Sequence, residues 1–404
     1  MSSRRLPLLV AFCVLVVGVL TVLAVAAVPT HRRVPTRTTV PQQFPGPSRL
    51  TASLATNPVG RAVALYRQGT GLALAGSTQT LVLGSDGGTV RRLDGGRGGT
   101  GAAGADTASL SPDGRTVAVG SHRLSGGADV TLVDLASGQT RSYVVPRVLG
   151  VVPVAWSADA SRLAYLGTAG PSAHPAGQLF VFDVASHRAV PVPGADVVTS
   201  AAFSPDGTRL AIQSPGASAV RVVDPRTGTG TALPVPDGEH LAGGAAWSPD
   251  GDLIAVSDGD RRLDFVPTQP GRPAPAPLTS AGDVLGWSSG STVVHARPAA
   301  TGAGEFRVER TDVRTGTTTA FWSVPTPAGL DVSGVSLATA LLPGATPVPS
   351  VPADRGPWPV GLRVVLVVGA ALLSVPAVVG LRRRYDEFRR IDAAPEWARD
   401  VSRG

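Results

Sequence analysis

Gly286-Trp287-Ser288-Ser289-Gly290 has the G-x-S-x-G spacing of a nucleophile elbow. In that motif a strained strand-to-helix turn exposes a serine for acyl transfer, with an acid and a histidine downstream. Here the apolar run Thr292-Val293-Val294 follows, so the segment reads as a turn between strands. Gly99-Thr100-Gly101-Ala102-Ala103-Gly104 matches the dinucleotide-binding fingerprint, which requires a strand before it and a helix after it. It is preceded by Gly-Gly-Arg-Gly and followed by another strand-like unit, and an inter-strand loop fits better. Asp258-Gly259-Asp260, with Asp250 and Asp252 nearby, offers oxygen atoms of the kind Ca²⁺ takes, but without a calcium-loop pattern. The six histidines, at 31, 122, 174, 187, 240 and 295, show no HxxxH or HxH spacing. These patterns assign no catalytic residue, no cofactor and no metal ligand, and the expectation is that the chain is not an enzyme.

The pI near 10.7 suggests nucleic acid until the charge is located. All 36 basic residues are arginine, and residues 51–350 hold 21 of them against 23 Asp plus Glu. The excess sits at the ends, at Arg4, Arg5, Arg32, Arg33, Arg37 and Arg49, and again from Arg363 onward. A nucleic-acid binder carries positive charge on the folded surface that meets phosphate. This chain carries it beside apolar segments, which argues against nucleic acid. The one cysteine, Cys13, excludes a disulfide within the chain.

Leu6 to Val28 is an uncharged stretch preceded by Arg4 and Arg5. As a helix rising about 1.5 Å per residue, it is long enough to cross a hydrocarbon core of about 30 Å. Ala24-Val25-Ala26 offers a small-x-small cleavage site, so residues 1–28 read as a signal anchor or a signal peptide. Val364 to Leu381 is a second uncharged stretch; residues 361–381 read as a transmembrane helix, with Trp358 at the interface. Arg382, Arg383 and Arg384 follow, a positive-inside signal that places the tail, 382–404, in the cytoplasm. In that tail Tyr385, Phe388 and Ile391 would share one helical face, suited to the inner leaflet or a cytoplasmic partner. The part between the segments is then expected outside the cytoplasm. Residues 29–50 and 343–360, rich in Pro and without periodicity, read as a linker and a stalk.

Residues 51–342 are built from a repeat. LSPDGRTVAV (110–119), WSADASRLAY (156–165), FSPDGTRLAI (203–212) and WSPDGDLIAV (247–256) share one pattern, and WSSGSTVVH (287–295) is a decayed copy. The repeat serines at 111, 157, 204, 248 and 288 are 46, 47, 44 and 40 residues apart. Repeats of 40–50 residues made of strands indicate a propeller. Ser111-Pro112-Asp113-Gly114, Ser204-Pro205-Asp206-Gly207 and Ser248-Pro249-Asp250-Gly251 are turn sequences. Proline presets φ, aspartate bonds its own backbone, and glycine accepts a positive φ. A later strand in each unit ends in Asp and leads to a second turn, at Ser137-Gly138, Thr227-Gly228 and Thr315-Gly316. Four strands per unit make one blade, and an earlier degenerate unit begins near Gly71. Asp331–Leu342 is strand-like; it either closes the ring with Arg61–Tyr66 or begins a seventh blade. The expected fold is therefore all-β, a propeller of about six four-stranded blades flanked by two hydrophobic transmembrane helices.

The S-P-D-G-x-x-[LV]-A pattern, with a strand ending in Asp and then T/S-G, resembles the TolB-type propeller repeats over 107–316, and loosely over 71–106. These are cousins of the tryptophan–aspartate repeats and of the propellers fused to prolyl oligopeptidases. The resemblance implies the fold and says little about activity. The expectation is a membrane-tethered, extracytoplasmic module of the cell envelope that binds or scaffolds another envelope protein, with a small-molecule ligand also open. The competing readings are a lyase- or lactonase-like enzyme using the central channel, and a transmembrane relay of ligand occupancy.

Overall fold

A computed structural model describes residues 37–358, apart from positions 49, 146 and 260 and the loops 69–78, 95–107, 123–126, 171–174, 298–303 and 327–331. Beyond 358 it describes seven residues between 365 and 383. The chain divides into two units, one of residues 32–356 and one joining 1–31 with 357–404.

The larger unit is assembled from local turns. Ser111, Ser157, Ser204 and Ser248 are buried under their own hairpins. Each donates its hydroxyl to the aspartate two residues on at 2.6 Å. Each also accepts the backbone N–H five residues on at 2.9–3.0 Å. Gly114, Gly207 and Gly251 close these turns at φ of 67–78°, and Ala160, at φ 58°, takes the same left-handed conformation in the turn of Ser157. Removing a hydroxyl that serves both bonds strands buried polar groups. Ser111→Ala is therefore expected to lower unfolding free energy by about 1–3 kcal/mol, read as a shifted urea midpoint with unchanged slope.

The turns join strands into six antiparallel four-stranded sheets among the described residues. From the innermost strand outward, blade 2 is Ala108–Leu110, Thr116–Gly120, Ala128–Asp134 and Thr140–Val145. Blade 3 is Gly150–Trp156, Arg162–Thr168, Gln178–Asp183 and Arg188–Pro191; blade 4 is Ser200–Phe203, Leu210–Gln213, Ala219–Val223 and Gly230–Pro234. Blade 5 is His240–Leu241, Leu253–Ser257, Arg262–Pro267 and Leu278–Thr279; blade 6 is Val284–Trp287, Thr292–Arg297, Glu305–Asp312 and Thr318–Pro325. Side chains alternate across each sheet, so both faces are buried. In blade 3, Leu163 and Tyr165 pack towards blade 2, whereas Ala164 and Leu166 pack towards blade 4.

Blade 1 is composite. Its three outer strands, Ala62–Gln68, Gln79–Gly84 and Val90–Leu93, come from the start of the ring, and its innermost strand, Val332–Leu337, comes from the end. Residues 332–342 therefore close a six-bladed ring and do not begin a seventh blade.

The Pro-rich stretches differ from the linker and stalk that their composition suggests. Thr39–Pro41 pairs in parallel with Thr346–Val348, in the register Thr39↔Thr346 and Pro41↔Val348. Phe44 donates its N–H to the Ser323 carbonyl on the outer strand of blade 6 (2.7 Å). Asp354 bridges to Thr89 and Ser53 to Arg92, covering the outer edge of blade 1. Phe44 is 1% exposed and stacks on Trp322 with ring centroids 3.9 Å apart. The Arg91 guanidinium of blade 1 donates to the Asp354 carbonyl, which fixes the leaving segment on that blade, and Arg355 donates to the Gly46 carbonyl, which ties the two segments together. Composition missed this because an edge strand needs no period-two pattern and tolerates proline.

In the smaller unit, the hydrophobic segments 6–28 and 364–381 lie outside the described residues, except Val365, Val368, Gly369, Val379 and Gly380, which are helical. Among the described residues no helix is long and apolar enough to cross a membrane. Arg382 and Arg383 are helical and exposed, Trp358 is 47% exposed, and Arg4, Arg5, Arg384 and the Tyr385, Phe388 and Ile391 face lie outside the described residues.

Candidate functional site: the central channel

The residue immediately before each repeat serine is large and apolar: Leu110, Trp156, Phe203, Trp247 and Trp287. It ends or follows the innermost strand of its blade, and all five line one cavity of about 550 Å³, with Leu337 of blade 1 completing the ring. The cavity is the axial channel. Turn prolines Pro112, Pro205 and Pro249 also line it, so the residues that shape the hairpins furnish channel wall. The sequence carried this signal, as an aromatic residue recurring at one repeat position, but only closure of the ring makes the positions converge.

Two local features narrow the channel. A short 3₁₀ turn, Thr339–Gly344, follows the innermost strand of blade 1 and lies against the turn of blade 2, with Ala340 N–H bonded to the Pro112 carbonyl (3.0 Å). It passes so close to Gly286 that a Cβ there would overlap Leu342. The first glycine of the G-x-S-x-G segment is thus explained by packing. In blade 5 the inner strand breaks after Leu241, and Gly243-Gly244 bulges across the channel until a Cβ at Gly244 would overlap the Val154 carbonyl of blade 3.

The lining is chemically quiet. Among the described residues Asp283 is its one carboxylate, and no histidine, glutamate or arginine lines it. Trp287 donates its indole N–H to the Ala245 carbonyl (3.1 Å) and Trp247 to the Gly251 carbonyl (3.2 Å), which fixes both rings.

Residues singled out for chemistry are scattered. Ser288 and Ser289 lie in the hairpin of blade 6, with Ser289 bonded to Thr292 and a strand following. Asp258 accepts the N–H groups of Arg261 and Arg262 in a turn, and Asp260 lies outside the described residues. His122, His187, His240 and His295 fall at four separate places on blades 2, 3, 5 and 6, and His31 and His174 lie outside the described residues. His295 is 3% exposed beside Thr311 (3.0 Å), and burial holds its imidazole below the ordinary histidine range. The glycine run 99–104 lies outside the described residues. Among the described residues no cluster of three His, Cys, Asp or Glu side chains could hold a metal.

Sequence reasoning missed one ionisable pair. Glu239, 7% exposed at the entry to blade 5, hydrogen-bonds the Asp264 carboxyl. Arg262 donates to both Asp264 oxygens (2.5 and 2.8 Å) and stands 3.8 Å from Glu239. Burial, then the bond to Asp264 and its charge, pushes Glu239 up to about 7. Burial acts on Asp264 in the same direction, but the bonds from Arg262 and Glu239 outweigh it and hold Asp264 below its usual value. The two carboxyls titrate as a coupled pair, with Glu239 raised and Asp264 lowered.

The sequence matches no protein-family model, and no curated protein matches it. Solved structures are similar in fold. TolB from Acinetobacter baumannii is 15% identical, with 69% of this chain and 67% of that one covered at a TM-score of 0.48. An oligogalacturonate lyase in complex with manganese is 15% identical, with 71% and 78% covered at 0.45. A 6-phosphogluconolactonase-like protein from Bacteroides uniformis is 15% identical, with 66% and 83% covered at 0.43. At such identities and scores these neighbours carry no argument about ligand or reaction. The chain is an all-β, six-bladed propeller of four-stranded blades.

Proposed function

We propose that the chain is a membrane-tethered binding module of the cell envelope, its propeller outside the cytoplasm, and that it holds an apolar segment of another envelope protein in the axial channel. The observation that carries this reading is the lining. Among the described residues, three indoles, one phenyl ring and five prolines surround a cavity of about 550 Å³ with a single carboxylate. Such a wall favours burial of an apolar, ring-bearing segment, in the way that binding pockets combine apolar walls with few polar groups. A hydrolytic, lyase or lactonase reaction in the same channel would need converging acid, base or metal ligands. The described lining residues offer only Asp283 for that purpose. The tether rests on the two uncharged segments and on Arg382, Arg383 and Arg384.

The test is photo-crosslinking in native membranes from two positions. A photoreactive residue at Leu285, which lines the channel, is expected to capture one defined envelope protein. The same residue at Arg188, exposed on the outer edge of blade 3, is expected not to capture it. Equal capture from both positions, or capture from Arg188 alone, would remove the channel from the reading.

A further inference from the structure

The ring closes through one pair of strands. Ala62–Gln68 and Val332–Leu337 run antiparallel, with Ala64 opposite Leu337 and Gln68 opposite Val332. The chain therefore enters the ring and leaves it at the same end of that pair. Tension applied to the two ends of the chain would act on that end first and open the bonds one after another.

The terminal segments lie between the closing pair and any such load. Thr39–Pro41 and Thr346–Val348 are parallel, so the chain enters at one end of this pair and leaves at the other. A pull on the two chain ends slides these strands along each other and loads all their bonds together. Beyond them the leaving segment is held again. Asp354 exchanges backbone bonds with Gly88 and Val90, Ala52 donates to the Arg355 carbonyl, and Arg91 lies 3.6 Å from the Asp354 carboxylate. The entering segment is anchored by Phe44 against Trp322 and Tyr66, and Tyr66 donates its hydroxyl to the Pro45 carbonyl (2.6 Å). Side chains that anchor each strand resist the sliding that backbone bonds alone would permit.

We propose that the paired terminal segments are a tension-bearing clasp, which converts a peeling load on the ring closure into a shearing load outside it. The device suits a chain with an uncharged, membrane-length segment at each end, and it stands independently of what the channel binds.

The experiment is single-molecule pulling on the full chain in detergent, with Cys13 replaced by Ser and cysteine handles introduced in two pairs. Arg37→Cys with Trp358→Cys pulls the clasp in shear. Arg37→Cys with Gly344→Cys pulls the same strands apart from one end. Arg37 and Gly344 are both exposed, and a Cβ at Gly344 meets nothing within 4 Å. At equal loading rate the first rupture force is expected to be at least about twofold higher in shear, because the bonds break together rather than in turn. Equal forces in the two geometries, or a lower force in shear, would overturn the proposal. Ser350→Ala supplies a second reading, since Ser350 accepts the Gln43 N–H (2.9 Å) at an exposed position outside the core. It is expected to lower the shear force while leaving the end-on force unchanged, and a shear force equal to that of the parent chain would count against the clasp.

Discussion

Phe44→Ala is expected to destabilise the propeller by about 3–5 kcal/mol, the range for truncating a buried aromatic side chain in a packed core. Phe44 belongs to a stretch whose composition is that of a linker, and in a linker the same change would cost almost nothing. Its ring instead lies 8° from parallel on Trp322 and 5.3 Å from Tyr66, in the cluster that joins blades 6 and 1. Truncation removes the apolar contact area and the stacking with Trp322, and leaves a cavity beside the closure of the ring. Urea unfolding followed by circular dichroism gives the midpoint. Val351→Ala is the matched control, because Val351 is 59% exposed in the other terminal segment and should stay within about 0.5 kcal/mol of the parent. A Phe44→Ala midpoint indistinguishable from that control would show that the segment is not part of the core.

Stability is expected to fall as pH rises through about 7, and Glu239→Gln should remove much of that loss. In the folded state burial and the Asp264 carboxyl hold the Glu239 proton up to about 7, well above the ordinary glutamate value. A group whose pKa is raised by folding stabilises the protein fully below its unfolded pKa, and that contribution is lost as pH climbs through the folded one. The window is therefore from about 4.5, the ordinary glutamate value, to just above 7. At its upper end buried Glu239 and half-buried Asp264 are both charged and adjacent, with Arg262 balancing one of them. The loss is at most on the order of 3 kcal/mol, shared across the coupled pair. Glutamine keeps the shape and still donates to Asp264 but cannot ionise. Melting temperatures at pH 5, 7 and 9 should converge for Glu239→Gln and diverge for the parent. Parallel curves for both proteins would mean that Glu239 ionises as an ordinary carboxyl.

The Glu239 pair was not legible in the sequence. Glu239 and Asp264 are separated by a hairpin and a strand, and Gln213 of blade 4 holds Glu239 in place by donating to its carbonyl (3.0 Å). The Gly243-Gly244 bulge is similar. In sequence it is a glycine pair at a strand position, and its reason is a carbonyl of a blade two positions round the ring.

What the sequence determined by itself is the set of short-range decisions. Ser-Pro-Asp-Gly bends the chain wherever it occurs, because serine, aspartate and glycine satisfy the turn within six residues of backbone. Alternating apolar strands between such turns, recurring at 40–47 residues, then specify blades, and blades with two apolar faces must stack. Tertiary structure alone decided where the stacking ends. Val332–Leu337 is no stronger a strand by pattern than its neighbours, and it becomes the inner strand of blade 1 because the sixth blade's arc brings it beside Ala62–Gln68. Likewise Thr39–Pro41 and Thr346–Val348 have no period to announce them. Each is ordered by a partner some 300 residues away, and a pairing across that distance depends on the closed ring, which no local window of residues contains.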